Sequence, residues 1–222
     1  MINRSHLRSF EMIFGVDLRA SPKRPSAVVA LDEEANLSFL TNFSEDSELF
    51  QMGETHKPSL IAIGAPLSLP TGLCCLETTC SCQTETPQKK GRQAELELSR
   101  MGISCFFTNK RSIIRTLIYR GIDISHQLTE QGHKVIEVYP HATKTILFGD
   151  KIPPKSSPTS LPFMKDNLTP LVKGLDKHLD ELDRNTCDAV INAYTALLHS
   201  QQETDMLGTD EEGWLVLPRL PR

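Results

Sequence analysis

The chain has 222 residues, of which 39% are hydrophobic, and its formal net charge is −4. This length and composition predict one globular domain spanning residues 1–222 and exclude a disordered or fibrous chain. The mild acidity excludes nucleic-acid binding through bulk positive charge, although it leaves room for a local basic surface.

The sequence predicts a soluble, cytoplasmic protein. No segment approaches the roughly 20 apolar residues that span a membrane, and the basic residues at positions 1–8 are not followed by an apolar run. The six cysteines are irregularly spaced and four of them crowd between residues 74 and 82, unlike the disulfide framework of a small secreted domain. We therefore expect reduced thiols and no membrane partner, and the sequence leaves the oligomeric state open.

The first third of the chain predicts strands. Short apolar runs separated by polar turns indicate an antiparallel meander. These runs are residues 13–20, 27–31 and 37–40. A short helix capped by Ser44 follows, and residues 60–66 form the continuous apolar run of a strand covered on both faces. Residues 67–90 are rich in Pro, Thr and Cys and have no regular period, so they predict a long Cys-rich insertion.

Helices predominate in the rest of the chain. One begins at Arg92, the next is capped by Thr108, and the last and clearest is capped by Thr186. Residues 133–140 predict a fifth strand closed by its proline, and the proline-rich residues 151–162 predict a second loop insertion.

These elements predict an α/β fold. We expect a mixed five-stranded sheet with its first three strands antiparallel, helices on both faces and two loop insertions. Residues 214–218 predict an additional edge strand.

Three carboxylates stand in apolar surroundings. Asp17 ends the first strand, Glu137 lies within the fifth, and Asp188 is in the predicted first turn of an Ala-rich helix. A buried carboxylate is costly unless a metal, an arginine or a proton accompanies it. Oxygen ligands of this kind suit Mg²⁺ or Mn²⁺. The alternative is that each is structural, paired with a neighbour such as Arg19 or placed at a helix N-terminus.

The most basic segment carries Lys110, Arg111 and Arg115. These side chains, together with Arg19 beside Asp17, are candidates for binding the phosphates of a nucleic acid. The alternative is the solvated face of an amphipathic helix.

The cysteine-rich insertion raises a separate possibility. Cys75, Cys80 and Cys82, with Cys74 beside them, are candidate Zn²⁺ ligands, and a fourth ligand would come from Cys105 or a histidine. Structural zinc sites usually pair cysteines about two to four residues apart, and the spacing here is compressed. Incidental or redox-active thiols are therefore the alternative.

Four motifs occur in a fixed order along nearly the whole chain. They are Gly15-Val16-Asp17 and residues 61–70, 135–140 and 187–196. In this order they resemble the domain-of-unknown-function-429 family, predicted nucleases with an RNase H-like fold. The resemblance implies that Asp17, Glu137 and Asp188 are catalytic ligands of Mg²⁺ or Mn²⁺, and that DNA or RNA is the substrate.

Two positions depart from the family pattern. Gly64 stands where family members often have Asp, and Asn192 stands where the final helix often has a second carboxylate. Asn192 is still a candidate metal ligand through its carbonyl oxygen.

Two main functions remain open. The resemblance implies a metal-dependent nuclease that hydrolyses phosphodiester bonds with a metal-bound water. The alternative, favoured by Gly64, is a catalytically inert nucleic-acid-binding or interaction module of the same fold. A phosphotransferase of the related actin-like sheet is disfavoured because no Gly-rich phosphate loop is evident beyond Gly15.

Overall fold

The computed structural model describes residues 11–21, 23–86 and 89–220. The basic segment at residues 1–8 lies outside them. Within the described residues the chain forms a seven-stranded mixed sheet with helices on both faces. The predicted α/β class, with a mixed sheet and helices on both of its faces, is confirmed, although the sheet has two strands more than the five predicted.

The seven strands have the following bounds. They are β1 Ile13–Asp17, β2 Ser26–Leu31, β3 Leu37–Phe43, β4 Leu60–Ile63, β5 Val135–Val138, β6 Thr204–Thr209 and β7 Gly213–Pro218. Their order across the sheet is β3-β2-β1-β4-β5-β7-β6. As predicted, β1, β2 and β3 are antiparallel, whereas β4 runs parallel to β1.

A C-terminal hairpin extends the sheet past β5. Strand β7 pairs in parallel with β5 and antiparallel with β6. The predicted edge strand at residues 214–218 is therefore an interior strand. Sequence reasoning missed β6, whose residues are at most half-buried and lack a clear alternating pattern.

Six α-helices fill the connections between the strands. They are α1 Asp46–His56, α2 Gln93–Arg100, α3 Arg115–Glu130, α4 Pro140–Phe148, α5 Ser160–Leu168 and α6 Arg184–Ser200. Short 3-10 helices occupy Gly149–Lys151 and Leu175–Glu181. Helices α1 and α3 cover one face of β1 and β4, and α5 and α6 cover the opposite face of the sheet.

Several predicted helix starts are wrong. α1 begins after Glu45, which forms a capping box with Glu48, and not at Ser44. The helix predicted from Thr108 begins only at Arg115, because the backbone and hydroxyl of Thr108 both donate to the Glu95 carboxylate instead.

Two further helix starts differ from expectation. Asp183 caps α6, and Thr186 is the third helical residue of the same capping box. Pro140, predicted to close a strand, instead begins α4, where its missing N–H costs no helical hydrogen bond.

Gly15 sets the distance between the sheet and α6. A Cβ atom placed on Gly15 would lie 2.0 Å from the backbone nitrogen of Ala193 and 2.4 Å from the backbone oxygen of Ala189. No side chain fits in that space. The backbones of β1 and α6 are therefore in direct contact, which brings α6 against the end of β1.

Glu212 holds the Cys-rich insertion to the sheet. It lies in the β6–β7 turn with 1% of its surface exposed. Its carboxylate accepts hydrogen bonds from the backbone nitrogens of Thr71 and Gln93, at 2.8 and 2.6 Å, and from Lys89 Nζ at 2.6 Å. The insertion, which contains no helix or strand in its described residues, is thus anchored near both ends.

Among the described residues, no helix combines the length and the apolar composition needed to cross a membrane.

We predict that Glu212→Gln destabilises the protein in a pH-dependent way. Burial opposes ionisation of Glu212, but its hydrogen bonds from Lys89, Thr71 and Gln93 outweigh burial and lower its pKa to about 2. The stabilisation is therefore complete above the ordinary value near 4.5 and is lost as the pH falls toward 2. At pH 7 we expect a loss of about 2 kcal/mol in the free energy of unfolding.

Urea unfolding at pH 7, 5 and 3.5 measures this difference. The exposed neighbour Glu211 provides the matched control, and Glu211→Gln is expected to unfold like the wild type. A Glu212→Gln deficit that is as large at pH 3.5 as at pH 7 would contradict the assigned role.

Candidate active site

Asp17 is the last residue of β1 and is buried, with 8% of its surface exposed. Side chains alternate between the two faces along a strand. Gly15 contacts α6 and Val16 belongs to the core under α1 and α3, so Asp17 faces α6. Its nearest basic partner is Arg19, whose Nε lies 3.9 Å from Asp17 Oδ2.

The pKa of Asp17 is raised to about 8. Burial is the largest cause, followed by the negative charge of Asp188. The positive charges of Arg19, Lys144 and Lys155 act in the opposite direction and do not outweigh these effects. Asp17 therefore retains its proton at neutral pH unless a further cation accompanies it.

Asp188, a residue of α6, lies near Asp17. Its Oδ1 accepts a hydrogen bond from Lys144 Nζ of α4 at 2.6 Å. Because α6 begins at Arg184, Asp188 lies beyond the first turn, and the predicted helix-terminus explanation for its charge does not apply. Lys144 compensates Asp188, which leaves Asp17 as the less compensated carboxylate.

Asn192 lies on the same face of α6, one turn after Asp188. It is fully buried, and its Nδ2 donates to the backbone oxygen of Val16 at 2.8 Å. Its Oδ1 is also buried and has no hydrogen-bond partner in the described part of the chain. A buried acceptor without a donor costs about 1–3 kcal/mol, so this oxygen is available to a water molecule or a cation.

Gly64 and Asn192 share one space. A Cβ atom on Gly64 would lie 2.5 Å from Asn192 Nδ2 and 3.2 Å from Pro140. An aspartate at position 64 is therefore incompatible with the observed position of Asn192. The two departures from the family pattern noted in the sequence are structurally one feature.

Glu137 lies on the other face of the sheet. Val16 pairs with Ile63 and Ile63 pairs with Glu137, so these three side chains share a face. Val16 and Ile63 belong to the core under α1 and α3, whereas Asp17 points toward α6. The structure therefore does not bring Glu137 together with Asp17 and Asp188.

Arg92 binds Glu137 with both terminal nitrogens. Arg92 Nη1 lies 2.6 Å from Glu137 Oε2 and Nη2 lies 2.5 Å from Oε1. Arg92 Nε also donates to Glu95 Oε1 at 3.0 Å, and the backbone nitrogen of Leu67 donates to Glu137. Both carboxylate oxygens of Glu137 are occupied, so the geometry here is that of a buried structural ion pair.

Two of the four predicted phosphate-binding residues contact the Cys-rich insertion. Lys110 Nζ donates to the backbone oxygen of Cys80 at 2.5 Å, and Arg115 pairs with Glu77 at 3.1 Å. Arg111 is exposed on the same segment. Of the four residues proposed, the structure places only Arg19 beside Asp17.

A different set of cations lies next to the acidic pair. A small surface pocket beside Asp188 is lined by Lys144, Lys155 and Arg184. Sequence reasoning missed these residues because they belong to three separate segments, α4, the proline-rich loop and the start of α6. The proline-rich character of the loop was the only available signal that this region is irregular.

The cysteines of the insertion converge. Each of Cys74, Cys75, Cys80 and Cys82 offers a sulfur atom, and these atoms all lie within 4.8 Å of one another. Within residues 11–21, 23–86 and 89–220, no other group of three or more His, Cys, Asp or Glu side chains converges in this way. Cys105 is elsewhere and its thiol donates to the backbone oxygen of Glu95.

The fold and this site define a mixed α/β protein with an acidic pair where β1 ends against the last helix. The family model described as "Protein of unknown function (DUF429)" matches residues 15–213. The chain therefore belongs to that family.

Among solved structures, the chain is similar to the RuvC structure of Thermus thermophilus, with a TM-score of 0.42 and 10% identity, covering 86% of this chain and 96% of that chain. No curated protein sequence matches the chain.

We predict that Arg92→Met strongly destabilises the protein. The substitution leaves two buried carboxylates, Glu95 and Glu137, without their guanidinium partner. Breaking a buried pair in this way costs about 3–5 kcal/mol. Urea unfolding at pH 7 measures the loss, and Arg100→Met in the same helix is the control. A loss below about 1 kcal/mol would contradict the structural role of the pair.

We predict that Asp17→Asn is more stable than the wild type in alkaline, metal-free buffer. The folded-state pKa of Asp17 is raised to about 8, so folding favours the protonated form and wild-type stability falls as the pH rises toward that value. Asparagine has no proton to lose. At pH 8.5 with a chelator we expect the variant to be at least about 1 kcal/mol more stable.

Urea unfolding at pH 5 and pH 8.5 tests the sign. The advantage of Asp17→Asn should appear at pH 8.5 and shrink at pH 5. Asp180→Asn, at an exposed position outside the site, is expected to follow the wild type at both values. An Asp17→Asn variant less stable than the wild type at pH 8.5 would refute the assignment.

Proposed function

We propose that this chain is a divalent-metal-dependent hydrolase of nucleic-acid phosphodiester bonds. The observation that carries the proposal is the buried Oδ1 of Asn192, which has no hydrogen-bond partner among the described residues. Asn192 lies one helical turn after Asp188, and its Nδ2 donates to the backbone oxygen of Val16, the residue before Asp17. Two carboxylates and an amide oxygen are a donor set composed only of oxygen. Such a set fits Mg²⁺ or Mn²⁺.

The proposed site holds one ion. Mg²⁺ commonly uses one or two protein carboxylates, with waters and substrate phosphates completing its shell. Asp17 and Asp188 supply the carboxylates, and Asn192 supplies the amide oxygen. When bound, the ion would activate water and stabilise negative charge on the reacting phosphate.

The protein's own groups have separate tasks in this proposal. Burial and the charge of Asp188 keep Asp17 protonated, and Asp17 loses this proton when the ion binds. Ion binding therefore becomes tighter as the pH rises. Lys144 exchanges its contact with Asp188 for a substrate phosphate, and Lys155 and Arg184 bind phosphates along the same pocket. These three cations replace Lys110, Arg111 and Arg115 as the proposed substrate-positioning residues.

The location proposed for this activity is the cytoplasm. None of the six cysteines is in a disulfide, which suits a reducing compartment.

A second candidate function is a catalytically inert nucleic-acid-binding module. Three observations favour it. Gly64 has no side chain that could bind a metal, the Glu137 carboxylate is paired with Arg92, and the Asp188 carboxylate is paired with Lys144. This alternative retains phosphate binding by the cationic pocket without hydrolysis.

We predict that the purified protein cleaves labelled nucleic acid only when Mn²⁺ or Mg²⁺ is present. Single-stranded, double-stranded and hybrid substrates are incubated with wild type and with the Asp17→Asn, Asp188→Asn double variant. We expect the double variant to lose at least about 100-fold in rate, which corresponds to roughly 3 kcal/mol of transition-state stabilisation.

The Asp176→Asn, Asp180→Asn variant is the matched control, since both of its positions are exposed and lie outside the site. Calorimetric titration with Mn²⁺ distinguishes loss of ion ligands from loss of folding. Equal cleavage by the wild type and the Asp17, Asp188 double variant would refute the site. Nucleic-acid binding by the wild type without cleavage would favour the inert module.

A further inference from the structure

The Cys-rich insertion brings four thiols together outside the site described above. Cys74 and Cys75 precede a turn closed by a hydrogen bond from the Cys80 nitrogen to the Glu77 oxygen, and Cys82 follows it. All four sulfur atoms lie within 4.8 Å of one another. The turn therefore brings the sulfurs of Cys74 and Cys75 close to those of Cys80 and Cys82.

The spacing of the sulfurs fits a single ion. Cys74 Sγ and Cys80 Sγ are 3.6 Å apart. A disulfide requires about 2.05 Å between its sulfurs. In a tetrahedral zinc site with Zn–S distances of about 2.3 Å, two thiolates lie about 3.8 Å apart. The observed separation is close to the second value.

The insertion contains no helix or strand in its described residues, yet contacts with α3 hold it in place. Leu76, between the two cysteine pairs, is fully buried, and its backbone nitrogen donates to the Tyr119 hydroxyl of α3 at 2.6 Å. Arg115, at the start of α3, pairs with Glu77. These contacts fix the turn on α3, so the four sulfurs are presented in a defined arrangement.

The positive charges around the four cysteines complement the negative charge of a zinc–thiolate centre. One Zn²⁺ with four thiolates carries a net charge of −2. Lys110 Nζ lies 2.5 Å from the backbone oxygen of Cys80, and Arg115 borders the turn at Glu77. The most basic segment of the chain thus lies against the cysteines, where its charge stabilises an anionic centre.

We propose that Cys74, Cys75, Cys80 and Cys82 bind one structural Zn²⁺ ion. Four thiolates in a closed tetrahedral shell leave no open position, which is the arrangement of structural zinc sites. Binding releases the thiol protons to solvent, four if all four cysteines begin protonated, and no electron is transferred. The ion crosslinks the two ends of the turn and so maintains the insertion near the carboxyl end of β4.

Metal analysis of the full-length chain tests this proposal. Protein purified without a polyhistidine tag or added metal is expected to contain about one Zn²⁺ per chain by mass spectrometry of the elements. The Cys80→Ser, Cys82→Ser double variant is expected to lose it. Cys105→Ser is the matched control, because that thiol lies outside the cluster and should retain the full zinc content.

Reconstitution of the wild type guards against misfolding of the variant. After removal of metal under reducing conditions, titration with Co²⁺ should give the absorption of a tetrahedral thiolate complex at about one equivalent, and Zn²⁺ should displace it. Stoichiometric iron, disulfides among the four cysteines in protein kept reduced, absence of any metal, or equal zinc loss in Cys105→Ser would each overturn the proposal. Because no nucleic acid is used, the result is independent of the proposed hydrolase activity.

Discussion

The direct backbone contact between β1 and α6 is the constraint on which the site depends. Gly15 has no side chain, and the alanines opposite it, Ala189 and Ala193, let the helix lie on the strand. Asp17 follows Gly15 by two residues and so faces the same helix. Asp188 precedes Ala189, so at this contact burial and, second to it, the negative charge of Asp188 raise the pKa of Asp17.

Gly64 and Asn192, the two positions expected to depart from the family pattern, lie next to each other at this contact. Asn192 lies over the end of β1 and bonds to the backbone oxygen of Val16, to which the Gly64 nitrogen also donates. A side chain on Gly64 would displace the amide. The apparent loss of one ligand is thus accompanied by the gain of a buried amide oxygen in the neighbouring space. We infer that Gly64 and Asn192 together replace the arrangement in which position 64 supplies an aspartate.

The buried charges are compensated in two different ways on the two faces of the sheet. On the face of α1, α2 and α3, Glu137 is satisfied by Arg92 and the arrangement is closed. On the face of α6, Lys144 compensates Asp188, while Asp17 keeps a raised pKa and Asn192 keeps an unpartnered oxygen. Closed networks serve stability, whereas incompletely satisfied buried groups are more typical of functional sites.

The sequence by itself determined the sheet's first five strands, the two insertions and the placement of Asp17 in the first strand and of Asp188 in the last helix, because these follow from local apolar runs and turn residues. It did not determine which carboxylates meet. Strand register decides this. Side chains alternate between the two faces along a strand, and the register aligns Glu137 with Val16 and not with Asp17, so Glu137 and Asp17 lie on opposite faces of the sheet. Nor did it reveal Lys144, Lys155 and Arg184, which only tertiary packing brings together. Which charged side chains pair depends on their distance in the folded structure, and local sequence patterns carry little information about that distance.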